Sequence, residues 1–215
     1  MQTNNLAQPG IRELLFGDLP LSTWANTGSE TEPWLSFKKA DQAVNSGNDE
    51  EALQILDGII KTKGLESRQY LQAYHAMSEL GVGSSVKELF GVVIEVSLDS
   101  GLDIVAAYKD QSARYYNHSG ASIICEHPVD SISNETKDLL AEGESLMLKI
   151  GPWDGERPGI PAQGNVRINL LTSQGLHFGE GPMNVLAGDP MGGPIIKAAF
   201  NLMQALIGIT EKRTA

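Results

Sequence analysis

The chain changes its hydrophobic period near residue 90. Between Trp34 and Leu80 apolar residues recur at helical spacing, in segments at 34–46, 49–62 and 66–80 punctuated by Gly47 and Gly64. In the middle segment Ala52, Leu53, Leu56, Ile59 and Ile60 form one stripe, and Asp49, Glu50 and Glu51 sit where negative charge favours a helix N-terminus. In the third, Leu71, Tyr74, Met77 and Leu80 form a narrower stripe. Short connections predict that these helices pack as antiparallel neighbours. From Val92 onward the pattern alternates: Val92, Ile94, Val96 and Leu98 against Val93, Glu95 and Ser97, as in a strand with one buried face.

Three turns organise this second region: Leu98-Asp99-Ser100-Gly101-Leu102, His118-Ser119-Gly120-Ala121 and Thr172-Ser173-Gln174-Gly175-Leu176. A glycine ending each short polar loop supplies the positive φ that closes a β-hairpin. The pattern predicts strands at 92–98, 102–117, 121–127, 166–172 and 176–180. The stretch Leu102 to Asn117 is long for one strand, so it is read as bent or bulged near Lys109-Asp110-Gln111, with a helix over 103–116 as the rival. A helix capped by Ser131 or Ser133 runs to about Ile150 on Leu139, Leu140, Met147 and Leu148. The last runs to about Ile209 with Ile195, Ile196, Ala199, Phe200, Met203, Leu206 and Ile207. The fold class is α+β, a mostly antiparallel sheet of about five strands with helices packed on one face, preceded by a small helical segment. Turn formers crowd residues 1–33. The expected organisation is a flexible arm over 1–33, a helical segment over 34–82 and an α+β domain over 84–212. Ile11, Leu14, Leu15 and Phe16 give the arm an apolar patch for docking.

Ala40, Ala43, Gly47, Asn48, Asp49, Glu50, Glu51, Ala52 and Leu53, followed by an aromatic-bearing helix, resemble the helix-turn-helix of a tetratricopeptide repeat. The resemblance covers one unit and part of another, under a quarter of the chain, with no further copy at the expected period. It implies a helix pair that engages proteins. The family's concave peptide groove requires several stacked units.

Charge narrows the partners. The formal net charge of -11 falls within residues 1–150, whereas residues 151–215 balance five acids with five bases. Such a surface repels phosphate backbones and anionic lipid, so neither nucleic acid nor membrane is an expected partner. The stretch Ala198 to Ile209 is too short to cross a bilayer, and Met1-Gln2-Thr3-Asn4-Asn5 lacks the basic and apolar character of a signal peptide. Cys125 stands alone. The expected compartment is the cytoplasm.

Candidate chemistry gathers on the strands. Alternation puts Arg114, Tyr116 and His118 on one face, where guanidinium, phenol and imidazole suit a carboxylate or phosphate. Arg167 and Asn169 are read as sharing a face with His177, a second polar cluster continuous with the first. Cys125 and His127, joined by His118 or His177, have the ligand types of a zinc site but no paired-Cys or His-Glu-x-x-His spacing, so no metal and no cofactor is expected. The Gly188–Gly193 run before a helix lacks the P-loop ending and reads as a cap built on Asp189, with Pro190 or Pro194 in the first turn. Glu95, Asp103, Glu126 and Glu180 are unpaired candidates for a carboxylate couple, and His75 reads as a surface residue. No G-x-S-x-G elbow occurs, and nothing supports an enzyme. The expectation is a non-enzymatic protein-interaction or scaffold protein, whose helical part carries an exposed apolar patch for a protein partner or a second copy. The alternative is a protein or enzyme that binds a small anionic ligand through Arg114, Tyr116, His118, Arg167 and His177 on the sheet.

Overall fold

The computed structural model describes residues 10–25 and 29–214 of the chain, with side chains through Thr210. Met1–Asn5 and the Asn26-Thr27-Gly28 part of the arm lie outside the described residues. Two compact units form, Met1–Lys63 with Arg68–Val82 and Gly64–Ser67 with Gly83–Ala215.

The first unit contains α1 (Leu21–Ala25), α2 (Trp34–Asn45), α3 (Asp49–Lys61) and α4 (Ser67–Glu79). Its core holds Phe37, Ala40, Ala43, Ala52, Leu56 and Ile59, small residues letting α2 and α3 approach closely. Asn48 caps α3 in a reciprocal arrangement: its Oδ1 accepts from Glu51 N–H at 3.3 Å, and its Nδ2 donates to Glu51 Oε2 at 2.7 Å. The segment read as an arm contributes Leu15, Phe16, Leu21 and Trp24 to this core. Trp24 and Trp34 stack with centroids 5.1 Å apart. In α4 the buried face is Leu71 with Gln69, Gln72, Ala73 and Ala76 rather than the larger apolar stripe, because Gln72 Nε2 donates to Leu19 C=O at 2.7 Å. That bond satisfies the donor side of the buried amide, whose Oε1 has no hydrogen-bond partner.

The second unit is built on one antiparallel sheet of six strands: β1 (Leu89–Leu98), β2 (Gly101–Tyr108), β3 (Ala113–Tyr116), β4 (Ser122–Cys125), β5 (Asn165–Thr172) and β6 (Gly175–Pro182), in the spatial order β4-β3-β2-β1-β5-β6. Two-residue loops close Leu98 onto Gly101 and Thr172 onto Gly175. Both glycines have positive φ, 135° and 99°. The stretch Leu102–Asn117 is neither one bent strand nor a helix. It turns back at Lys109–Ser112, where Gln111 takes φ 65° and Asp110 Oδ1 accepts from Ser112 N–H at 2.9 Å, making two strands where one was expected. That side-chain acceptor replaces the glycine as the turn-forming device.

Helices α5 (Ser133–Met147) and α7 (Gly192–Thr214) lie on one face of the sheet; α6 (Met183–Leu186) is a single turn between β6 and α7. Val92, Ile94, Val105, Ala107, Ala113, Val166, Ile168 and Leu170 meet Ile132, Leu139, Leu146, Met147, Ile195, Leu202 and Leu206 in one core. Burial of such side chains stabilises by roughly 1.5–3 kcal/mol each. Leu148, expected as an anchor, is exposed because α5 ends at Met147. The Gly192–Thr210 part of α7 is long and apolar enough to cross a membrane by length and composition, which corrects the reading from Ala198–Ile209 alone. Its apolar character is accounted for in part by Ile195, Ala198, Ala199, Leu202 and Leu206, which belong to the core.

On the opposite face the connection before β5 is pinned at its start. Trp153 N–H donates to Leu176 C=O at 2.7 Å, and its ring meets Phe178 edge-on at 5.2 Å.

Candidate functional site

The strand register decides which of the candidate side chains meet. Across the face away from α5 and α7, one row reads Ile124, Arg114, Ala106, Val93, Asn169, Phe178 from β4 to β6. The next reads Ser122, Tyr116, Ile104, Glu95, Arg167, Glu180. Arg114 and Tyr116 are therefore neighbours, as alternation requires. Tyr116 and Arg167 are three strands apart, roughly 14 Å, so the two expected clusters do not merge.

His118 leaves this face. The strand ends at Tyr116, and Asn117 Oδ1 builds the turn by accepting from Ser119 N–H at 3.0 Å and Ala121 N–H at 2.9 Å. The imidazole then falls beside Asp103, with Nδ1 3.0 Å from Asp103 Oδ1. Asp103 also accepts from His118 N–H at 2.8 Å and from Tyr115 O–H at 2.8 Å. Burial, that hydrogen bond and the aspartate's charge together push the Tyr115 phenol up to about 12. Tyr115 went unnoticed in the sequence because it faces away from Arg114. Its link to Asp103 ties the tips of two hairpins.

Arg167 sits between two carboxylates. Nε and Nη2 donate to Glu180 Oε2 at 2.9 and 2.5 Å, Nη1 lies 3.5 Å from Glu95 Oε2, and Nη1 also donates to Gly159 C=O at 2.5 Å. Asn169 Nδ2 donates to Glu95 Oε2 at 3.1 Å. Burial raises the Glu180 carboxyl, but hydrogen bonds from Asn165, Arg167 and Ala162 N–H, with the guanidinium charge, bring it below the ordinary carboxylate range. Glu95 and Glu180, two of the four candidates for a carboxylate couple, are thus held apart by a cation that pairs with both. The donors of Arg167 are committed to this network rather than offered to a ligand.

His177 does not share a face with Arg167 and Asn169. It is paired with Leu170, so it points toward the helix-side core, where it is fully buried. The two-residue loop after Thr172 carried this information, since closing 172 on 175 places 170 opposite 177. Neither ring nitrogen has a hydrogen-bond partner. Burial foremost, then the Lys87 charge, lowers its pKa; the Gly175 backbone opposes this weakly.

The remaining candidates separate in the same way. Cys125 and His177 lie on opposite edge strands, roughly 24 Å apart, and among the described residues no three His, Cys, Asp or Glu side chains gather to hold a metal ion. Asp189 Oδ1 accepts from Met191 N–H and Gly192 N–H, both at 2.8 Å, filling the start of α7 with its own carboxylate. Those two bonds lower its pKa. A cleft of about 750 Å³ between α5 and α7 is lined by Glu135, Asp138, Glu142 and Asp189 around a single Lys197. Its charge disfavours anions.

What the surface of the second unit offers instead is apolar. Among the described residues the first unit exposes only Ile11, Leu14 and Val82 as large hydrophobic side chains, fewer than the patch expected on its helices requires. In α7 the apolar residues that read as one set divide into two stripes. Ile195, Ala199, Leu202 and Leu206 face the core, while Phe200 is 56% exposed and Ile196, Met203 and Ile207 flank it. Lys197 and Asn201 line the cleft beside α5, so the Phe200 stripe is on the opposite flank. Helix α5 contacts β1 and β2, whereas α7 crosses the sheet from β5 to β2, β3 and β4. Compared with known proteins, the chain matches no family model, no curated protein and no solved structure.

Proposed function

We propose that this protein is a non-enzymatic interaction protein that pairs with a second copy of itself through the edge of β4 and the Phe200 flank of α7. The observation that carries this reading is an open strand edge on β4 together with an exposed apolar flank on α7, a helix that contacts β4. Strand β4 ends the strand order, and α7, which contacts β4, exposes Phe200 with Ile207 half-buried beside it and Ile196 and Met203 partly covered by the core. Asn117 N–H donates to Ala121 C=O at 3.0 Å, so alternation along the hairpin turns the backbone groups of Ser122 and Ile124 outward, away from β3.

The features favour a second copy over a lone extended peptide. Two outward-facing residues give too few hydrogen bonds and too little area alone, since a specific interface covers roughly 800 Å² per partner. The helix stripe supplies the remaining apolar area, and only a partner bearing both a strand edge and a helix face covers both. A two-fold axis through β4 matches edge to edge and stripe to stripe, making the surface self-complementary. Neither Ser122–Cys125 nor the Phe200 stripe carries a charged side chain, so the net charge of -11 does not oppose contact at this surface.

Sedimentation equilibrium from micromolar to several hundred micromolar protein tests the reading. A dimer is expected, dissociated by Phe200→Glu and by Ile124→Pro, which removes an outward N–H, with both variants retaining the wild-type circular dichroism. A protein that remains monomeric throughout, or a dimer indifferent to both substitutions, overturns self-association. If the monomer also retains no partner whose capture depends on Phe200, the interaction reading fails as well.

A further inference from the structure

We infer that Arg114 anchors a binding site for a small oxyanion, a carboxylate or phosphate group, at the corner of the sheet formed by Arg114, Tyr116 and Ser122. Arg114 is only 5% exposed, yet among the described residues no carboxylate lies within ion-pair distance of its guanidinium, and its Nε has no hydrogen-bond partner. Its one close electrostatic neighbour is the Tyr108 ring, with the guanidinium carbon 5.7 Å from the centroid. An aromatic face attracts a cation without satisfying its N–H donors. Arg167, three strands away on the same face, shows how this fold treats a buried guanidinium that is internal to the structure: two carboxylates and backbone carbonyls surround it. Arg114 has none of these. A buried charge without a counter-charge is costly, and a bound anion removes that cost.

The surroundings supply the rest of a site. Tyr116 lies two residues along β3 on the same face, and Ser122 is directly opposite it on β4, so a phenol and a hydroxyl flank the guanidinium as further donors. Access is from the sheet edge, where Ser122 is exposed and Ile124, opposite Arg114, is 48% exposed. Guanidinium geometry selects a planar or tetrahedral oxyanion that accepts two parallel N–H bonds. The net charge of -11 makes diffuse anion attraction weak, so retention depends on this one residue. Self-association through β4 covers this same edge, so the test is run at protein concentrations where the chain is monomeric, which keeps failure of the anion site distinguishable from failure to dimerise.

Thermal unfolding at constant ionic strength, with chloride replaced stepwise by inorganic phosphate or by acetate, tests the site and separates its two ligand classes. Wild-type protein is expected to show a saturable rise in Tm with at least one of them. Arg114→Met is expected to weaken that response on the order of tenfold or more, and Arg114→Lys to weaken it less. A purely structural Arg114 makes the opposite demand in the absence of anion, because its removal then lowers Tm. Here Arg114→Met, which replaces an uncompensated charge by an apolar side chain, is expected to match or exceed the wild-type Tm in chloride alone. An unchanged phosphate and acetate response in Arg114→Met, no saturable response in the wild type, or a lower Tm of the variant in chloride each overturns the proposal.

Discussion

Arg167 and Glu180 face each other across β5 and β6, with two guanidinium nitrogens donating to the same carboxylate oxygen at 2.9 and 2.5 Å. The pair does more than join two strands. The remaining guanidinium nitrogen reaches Glu95 on β1 and the Gly159 carbonyl of the connection before β5, so one side chain links three strands to the loop that covers them.

Removing either end of this pair has unequal consequences. Arg167→Met takes the guanidinium from beside the fully buried Glu95, which keeps the Asn169 amide as a donor, and breaking a buried ion pair costs roughly 3–5 kcal/mol. Glu180 is partly solvated, and Glu180→Gln leaves Arg167 with Glu95 and the carbonyls, so its loss is that of a charged hydrogen bond, about 1–3 kcal/mol. Urea denaturation is expected to rank wild type above Glu180→Gln above Arg167→Met. Equal losses in the two variants contradict the unequal burial of the two partners.

The same carboxylate sets an acid limb. Because the folded Glu180 carboxyl is lowered from 4.5, its contribution to stability is present above that pH and is lost as pH falls through the folded value. In Glu180→Gln the decline of urea midpoint below pH 4.5 is expected to be shallower than in the wild type.

His177 gives a second pH dependence, in a window of its own. Its folded pKa is lowered from 6.5, so the unfolded chain binds a proton that the native protein refuses. Its destabilising effect is absent above pH 6.5 and grows as pH falls from 6.5 toward the folded value. His177→Leu fills the same space beside Leu170 without a titrating ring, so its stability is expected to stay flat between pH 7 and 5, where the wild type declines. Parallel pH profiles of the two proteins in urea contradict this.

The hairpins were legible because each is tipped by glycine after a short polar loop, and the loop length itself fixes the pairing from Thr172–Gly175 back to Leu170–His177. The turn at Lys109–Ser112 was not, since it spends no glycine: Asp110 accepts the hydrogen bonds and Gln111 takes the positive φ. Arg167 was legible as a polar strand residue, but its partner Glu95 lies 72 positions away on a strand that becomes adjacent only after three strands and α5 have intervened. Local alternation carries no information on such pairing. The Phe200 stripe was hidden for another reason. Apolar residues on two adjoining flanks of α7 look, in one dimension, like a single wide core face.

Gln111 allows that turn to be tested directly. At φ 65° an L-residue pays steric strain that glycine does not, and a β-branched residue pays more. Gln111→Val is expected to lower stability by roughly 1–2 kcal/mol, whereas Gln111→Gly stays within about 0.5 kcal/mol because relief of strain is offset by the freer unfolded chain. A Val variant as stable as the wild type, measured by thermal unfolding, contradicts the positive φ.

Gly143 sets helix propensity against packing at a single position. Placed mid-helix in α5, it sacrifices about 1 kcal/mol relative to alanine. A Cβ built there, however, comes 2.5 Å from Val92 Cγ2 and 3.1 Å from Leu89 Cδ2, closer than a methyl group tolerates. Val92 is itself fully buried in the sheet, so it has no open side toward which to move. Overpacking costs typically 1–3 kcal/mol, and that outweighs the propensity gain. Gly143→Ala is therefore expected to destabilise by about 1 kcal/mol. Gly143→Ala combined with Val92→Ala tests the cause, because the new methyl group then occupies space that the valine vacates. The double variant is expected to lose less than the sum of the single losses, a coupling read from urea midpoints. Strict additivity places the cost of the alanine somewhere other than the α5–β1 contact.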